Sequence, residues 1–226
     1  SRQARDHVLA LEALDLSMHY RKNTSPALNK FNLQVEHGEF FGLLGPNGAG
    51  KTTAISILSD RFPATSGTVS VLGKEYDRNR NVIKQKLGLV PQEIALYDNL
   101  SARENLTFFA KLFGFRGDEL SRRVEQGLDF AGLGEQADRL VATYSGGMKR
   151  RLNLAAGILH DPEILFLDEP TVGIDTQSRH LIHEQLAALN RNGMTILYTT
   201  HYMEEAWELC SRIGIMDGGT IIKLGI

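Results

Sequence analysis

The run Gly45-Pro46-Asn47-Gly48-Ala49-Gly50-Lys51-Thr52, with Thr53 behind it, sets three glycines, an ammonium group and hydroxyls along one short loop. Gly48 and Gly50 let the backbone approach a ligand and take φ > 0, where a Cβ would clash. Before the loop, Phe40-Phe41-Gly42-Leu43-Leu44 has the apolar density of a buried strand; after it, Ala54-Ile55-Ser56-Ile57-Leu58 suits a packed helix. A strand feeding such a loop into a helix turns several backbone N–H groups on one anion, with the positive helix end behind them. Lys51 then falls at the β- and γ-phosphates and the Thr52 hydroxyl at Mg²⁺. The chemistry is that of a P-loop, and it predicts a bound nucleoside triphosphate.

A phosphate-bound Mg²⁺ also needs a carboxylate at the end of a neighbouring strand. Ile164-Leu165-Phe166-Leu167-Asp168-Glu169 supplies one. Four apolar residues bury the strand, and Asp168 emerges at its carboxyl end, where ligands gather in open α/β sheets. The metal offsets the cost of placing a charge there. Glu169 points differently and is free to orient and deprotonate an attacking water.

The elements that must hold these groups alternate along the chain. Thr68-Val69-Ser70-Val71-Leu72 reads as a half-exposed strand, and Leu87-Gly88-Leu89-Val90 as a short buried one stopped by Pro91. From about Ala102 to His160 strand signals vanish. Ser101 and Glu104 form a capping box. The helix behind it carries Leu106, Phe109, Ala110 and Phe113 on one face and ends at Gly114. A second helix carries Leu120, Val124, Leu128 and Ala131 before Gly132; a third begins after Gly146-Gly147 and runs to about His160. Ile164-Leu165-Phe166-Leu167 and Thr195-Ile196-Leu197-Tyr198-Thr199 are expected as central parallel strands, with a helix over 178–192 between them. Ile213-Gly214-Ile215-Met216, Asp217-Gly218-Gly219 and Thr220-Ile221-Ile222 close the chain as a hairpin. The reading is one α/β core, about 1–92 and 161–226, with a helical insert at about 93–160.

Composition narrows the class. A chain of 226 residues buries a full core, and 42% hydrophobic with 23% charged residues is ordinary for a soluble globular protein. Lys plus Arg number 25 against 27 Asp plus Glu, so no basic field points to nucleic acid, and none is expected as a partner. No apolar run nears the roughly 20 residues of a membrane-spanning helix. The start, Ser1-Arg2-Gln3-Ala4-Arg5-Asp6, has neither an initiator Met nor a secretion signal and reads as processed or trimmed. The single Cys210 excludes an internal disulfide and fits a reducing compartment. Met203, Ala206, Trp207 and Cys210 share a helical face, which makes the thiol a small core residue rather than a nucleophile. Lys149-Arg150-Arg151 reads as a solvated helix face.

P-loop and Asp-Glu strand fit many NTPases; Tyr144-Ser145-Gly146-Gly147-Met148-Lys149-Arg150 narrows the field. A hydroxyl and free N–H groups at a helix N-terminus make a second anion site, although a plain helix cap also accounts for the tripeptide. Its place between the helical insert and the Asp-Glu strand resembles the signature motif of ATP-binding cassette (ABC) proteins. Other family marks stand in order. Tyr20 resembles the aromatic residue that stacks on adenine, Gln92 the Q-loop glutamine, Gly173-Ile174-Asp175 the D-loop, and His201 the switch histidine. The resemblance spans essentially the whole chain. It implies an α/β fold: a P-loop NTPase (RecA-like) core with a mostly parallel sheet, an N-terminal antiparallel β subdomain and an inserted α-helical subdomain.

In that family two cassettes dimerise head to tail, each ATP lying between the P-loop of one and the Ser-Gly-Gly turn of the other. The resemblance thus implies that Gly45, Pro46, Asn47, Gly48, Ala49, Gly50, Lys51, Thr52 and Thr53 hold ATP, with Tyr20 on its base. Ser145, Gly146 and Gly147 would contact the γ-phosphate held by Lys51 of the partner subunit, and Asp175 would line the interface. Thr52, Gln92 and Asp168 would hold Mg²⁺, while Glu169, His201 and Gln92 serve hydrolysis. Gln92 would also relay nucleotide state to a membrane subunit. Loss of the γ-phosphate removes contacts on both sides, which is what a switch requires.

Two features depart from the commonest pattern. The usual signature is Leu-Ser-Gly-Gly-Gln, and Met148 cannot make an amide hydrogen bond, so no role carries over to it. The Tyr-Ser-Gly-Gly-Met form, with Glu169-Pro170-Thr171-Val172-Gly173 and Thr200-His201-Tyr202-Met203-Glu204-Glu205-Ala206, resembles the ABC-2 or drug-resistance branch, which contains ATPase subunits of drug-, lipid-, sodium- and polysaccharide-type exporters. The chain stops at Leu224-Gly225-Ile226, where relatives usually continue, so the last helices are expected to be missing. The implied function is an ATPase that powers export through a permease on a separate chain or a removed part of this one. It would sit in the cytoplasm against the inner membrane face. One alternative is a soluble cassette switch on ribosomes or DNA, disfavoured by the neutral charge balance, the single cassette and the lack of a long coiled-coil insertion. A P-loop kinase would need neither the Ser-Gly-Gly turn nor Gln92.

Overall fold

In the computed structural model, which describes residues 9–21 and 25–225, the chain begins with β1 (Leu9–Met18), β2 (Leu28–Glu36) and β3 (Phe40–Leu44). It continues through α1 (Lys51–Leu58), β4 (Ser66–Val71), β5 (Lys74–Glu75), α2 (Tyr76–Lys84) and β6 (Leu87–Val90). Three helices follow: α3 (Ala102–Leu112), α4 (Gly117–Ala131) and α5 (Gly146–Ile158). The last part is β7 (Ile164–Asp168), α6 (Thr176–Arg191), β8 (Thr195–Thr200), α7 (Met203–Leu209), β9 (Arg212–Asp217) and β10 (Thr220–Gly225). The start at residues 1–6 and the final Ile226 lie outside the described residues.

Strands β3, β7 and β8 are buried at every position, as strands covered on both faces must be. They form the middle of a six-stranded sheet in the order β10-β9-β3-β8-β7-β6. The neighbours from β9 to β6 pair in parallel, and β10 closes one edge antiparallel to β9. This order sets β8 between the strand that feeds the glycine loop and the strand that ends in Asp168. Thr199 is paired with Leu43 on one side and Asp168 on the other. The loop, the carboxylates and the residues after β8 therefore emerge together at one end of the sheet.

A second sheet, β2-β1-β4-β5, is antiparallel throughout. Its inner residues share one apolar core with α1, β3 and β7, including Leu16, Phe31, Ile55 and Phe166. Tyr20 follows directly after β1 and is thereby carried to the side of the glycine loop. Helices α3, α4 and α5 bury their own separate cluster around Leu106, Val124, Leu128 and Leu152.

The capping box at α3 is complete: Glu104 N–H donates to Ser101 Oγ at 3.1 Å and Ser101 N–H to Glu104 Oε2 at 2.8 Å. Helix α5 starts at Gly146, two residues ahead of the expected boundary, because Ser145 caps it. Three expectations fail where burial overrides periodicity. Phe113 is exposed and stacks on His160, with ring centroids 3.8 Å apart. Met203 and Trp207 face solvent, while Ala206 in α7 and Cys210 just after it pack inward; burial pushes the Cys210 thiol up to about 12. The Lys149-Arg150-Arg151 run is not a solvated face, since Arg150 is buried against the chain after β6. Helix α2 was not anticipated; it packs Tyr76 and Ile83, seven residues apart, into the main core.

Candidate active site

The glycine loop is wedged between two neighbours. A Cβ at Gly45 would lie 2.3 Å from Met216 O, and one at Gly50 would lie 2.5 Å from Ala27 O. Gly50 also takes φ 103°, which caps α1 in the left-handed region open to glycine. Lys51 opens α1 but turns back over the loop, donating to Gly45 O at 2.7 Å and Pro46 O at 3.0 Å. Its ammonium also lies 3.2 Å from Glu169 Oε1. An open cleft of about 620 Å³ lies over this arrangement, with Tyr20, Lys51, Thr52, Thr53, Gln92 and Glu169 among its walls. The Tyr20 hydroxyl is 3.3 Å from Thr53 Oγ1, and its ring meets Phe62 edge-on.

Thr199 arranges both carboxylates from the adjacent strand. Its hydroxyl donates to Asp168 Oδ1 at 2.8 Å and accepts from Glu169 N–H at 3.0 Å. Asp168 is 4% exposed, so this bond compensates part of its desolvation. Glu169 takes φ 46°, a left-handed conformation costing about 1 kcal/mol or more outside glycine. That turn directs its carboxylate to Lys51 and to His201, whose Nδ1 comes within 3.3 Å of Glu169 Oε2 without hydrogen-bond alignment.

Behind His201, a buried carboxylate collects three hydroxyls. Glu205 accepts from Thr171 Oγ1 at 2.7 Å, Tyr198 OH at 2.9 Å and Thr200 Oγ1 at 2.8 Å. Burial and this carboxylate hold the Tyr198 phenol well above its ordinary range, so it stays a donor. Glu205 thus ties the segment after Glu169 to the segment before His201. Glu205, Thr199 and Arg150 were not anticipated as site residues, and no local pattern marks them, since each acts on residues distant in sequence.

Ser145, Gly146, Gly147 and Asp175 lie outside the cleft. Ser145 caps α5 by accepting from Met148 N–H at 3.2 Å, and Asp175 caps α6 by accepting from Ser178 N–H at 2.8 Å. The bonds at Ser178 hold the Asp175 carboxyl below its ordinary range. The two helix starts touch: a Cβ on Gly147 would come 2.0 Å from Ser178 Oγ. Among the described residues, no group of three or more His, Cys, Asp or Glu is placed to hold a metal by itself. A hydroxyl, an amide and one carboxylate (Thr52, Gln92 and Asp168) suit Mg²⁺, which keeps most of its ligands as waters and phosphate oxygens.

The chain is similar to known proteins across this whole arrangement. Residues 28–172 match the ABC transporter family. The linearmycin resistance ATP-binding protein LnrL of Bacillus subtilis is 48% identical over 95% of this chain and 68% of its own length. The Nod factor export ATP-binding protein I of Sinorhizobium fredii is 42% identical over 96% of this chain and 63% of its own length. The chain thus spans about two thirds of these curated relatives. A solved dimeric ATP-binding cassette in a post-hydrolysis state, bound to ADP and Pi, superposes with a TM-score of 0.86 at 27% identity, covering 95% of this chain and 97% of that one. This chain belongs to the ABC transporter family, as one of its ATP-binding cassettes.

Proposed function

We propose that the chain binds and hydrolyses ATP and, by closing head to tail on a second cassette, powers export through a membrane permease. One observation carries the reading: Lys51 lies 3.2 Å and His201 3.3 Å from the Glu169 carboxylate, at a single sheet end beside a cleft walled by Tyr20 and Gln92. The loop amides from Gly45 to Thr53 and the Lys51 ammonium bind the phosphates, and Tyr20 stacks on the base. Glu169 takes a proton from the attacking water, while His201 orients Glu169 and the γ-phosphate. When bound through Thr52, Gln92 and Asp168, Mg²⁺ supplies charge neutralisation on the phosphates. Ser145, Gly146, Gly147 and Asp175 form the face toward the second cassette, where two helix N-termini favour an anion.

Residues 93–160 act as the helical subdomain, a reading supported by their separate apolar cluster. Among the described residues no helix is long and apolar enough to cross a membrane, so the permease is supplied elsewhere. The cassette then sits in the cytoplasm, on the inner face of the membrane, with Gln92 reporting nucleotide state to the permease. The export direction is supported by the name of the Nod factor export relative. Gel filtration of Glu169→Gln with and without Mg-ATP tests the core of this. An ATP-dependent dimer is expected, and a monomer at every ATP concentration overturns the reading. Phosphate release without an acceptor separates hydrolysis from a kinase reaction.

A further inference from the structure

Arg150 and Asn153 stand one turn apart on α5, and both reach the same short loop after β6. The Arg150 guanidinium donates to Gln92 O at 2.7 Å and to Pro91 O at 3.3 Å. Asn153 Oδ1 accepts from Ala95 N–H at 3.1 Å. Both side chains are nearly buried, at 6% and 4% exposure. A turn further along, a Cβ on Gly157 would lie 2.7 Å from Val90 Cγ2. Helix α5 therefore meets the chain from Val90 to Ala95 at three successive levels. Burying a guanidinium is costly when no anion accompanies it, and among the described residues Arg150 has no carboxylate partner. Its polar partners are two carbonyls of the loop that carries Gln92, whose own side chain is exposed into the cleft. The same helix is led by Ser145, which lies outside that cleft.

We propose that Arg150 and Asn153 are positioning residues that yoke the Gln92 loop to the Ser145-led helix, so that a γ-phosphate engaged by Ser145 in the second cassette is felt at Gln92 of this one. The inference rests on the head-to-tail reading above and adds to it a physical link between the two ATP sites. Helix α5 is rigid over the short span from Ser145 to Asn153, so a shift at its start moves the loop rather than being absorbed. By linkage the coupling runs both ways: nucleotide at Gln92 also changes how Ser145 meets its anion.

Hydrogen exchange on the full-length protein reads both ends of this lever. In Glu169→Gln, adding Mg-ATP is expected to slow exchange in residues 145–148 and in residues 91–96. Adding Arg150→Met to that background should leave the slowing at 145–148 and reduce that at 91–96 by roughly tenfold. With Glu169 intact, Arg150→Met should lower kcat by about tenfold and bring the Hill coefficient for ATP toward 1, with nucleotide affinity of the isolated cassette unchanged. Arg150→Lys, which still reaches one carbonyl, should recover part of both effects. An unchanged ATP response at 91–96 in Arg150→Met overturns the yoke while leaving the head-to-tail reading intact. Absence of ATP-dependent slowing at 145–148 in Glu169→Gln itself overturns that earlier reading instead. If Arg150→Met does not fold, Asn153→Leu carries the same test, because it removes only the acceptor of Ala95 N–H.

Discussion

Lys51 Nζ lies 3.2 Å from Glu169 Oε1, with both side chains nearly sealed from solvent. The phosphate-binding ammonium and the proposed base are thus each other's counter-charge. In the proposed reaction an arriving γ-phosphate would compete for the same ammonium and release the carboxylate toward water and His201. Pairing of this kind keeps the base from standing idle as an uncompensated buried charge.

Glu169→Gln removes both the competitor and the base. Nucleotide binding should be retained or tightened, while hydrolysis slows by about 10²–10⁴, or some 3–5 kcal/mol of barrier. Equilibrium titration with ATP and single-turnover phosphate release measure the two parts separately. Near-normal turnover would remove Glu169 from the role.

Tyr20 offers a ring beside the loop, held by Thr53 and Phe62. Tyr20→Ala should weaken ATP binding by about 1–3 kcal/mol, the range of base–aromatic stacking, and Tyr20→Phe should keep most of it. Competition titration checks both. Equal affinity in Tyr20→Ala would place the base elsewhere.

Glu205 holds three buried hydroxyls, and Glu205→Ala leaves them only the contact between Thr171 Oγ1 and Tyr198 OH. A loss of about 2–4 kcal/mol in unfolding free energy is expected, with a smaller loss in Glu205→Gln, which keeps one acceptor oxygen. Denaturant titration of both variants measures it. Equal stability of Glu205→Ala and the parent would show that water replaces the carboxylate.

His160 donates its Nε2–H to Leu87 O at 2.8 Å, while its Nδ1 is buried without a partner. Burial therefore holds the imidazole below its ordinary value. The unfolded chain binds the proton more readily, so stability from this group is present above about pH 6.5 and is lost as pH falls through the folded value. His160→Gln should shrink the fall in Tm between about pH 7.5 and pH 5.5. An identical fall in both proteins would assign the acid sensitivity to other groups.

The groups proposed to bind phosphate were legible because they lie on contiguous backbone: a glycine loop, a strand end and a helix start each announce themselves locally. The strands β3, β6, β7 and β8 were legible for a related reason, since burial on both faces leaves unbroken apolar runs. What stayed hidden acts across the chain. Arg150 follows the Ser-Gly-Gly turn inside a run of three cations, which looks solvated until β6 and its loop are packed against α5. Glu205 sits between Glu204 and Ala206 like any acidic residue at a helix start, and only the return of β8 beside Thr171 shows what it gathers. Trp207 misled in the opposite sense, because a large apolar residue on a short helix need not face inward.

The abutment of Gly147 on Ser178 carries a last consequence. With no room for even a methyl group between them, the starts of α5 and α6 form a single stiff corner. Evolution cannot retune the serine-led turn and the aspartate-led turn independently: bulk gained at one must be surrendered at the other. Variation among descendants of this chain should accordingly appear there as correlated exchanges rather than as solitary ones.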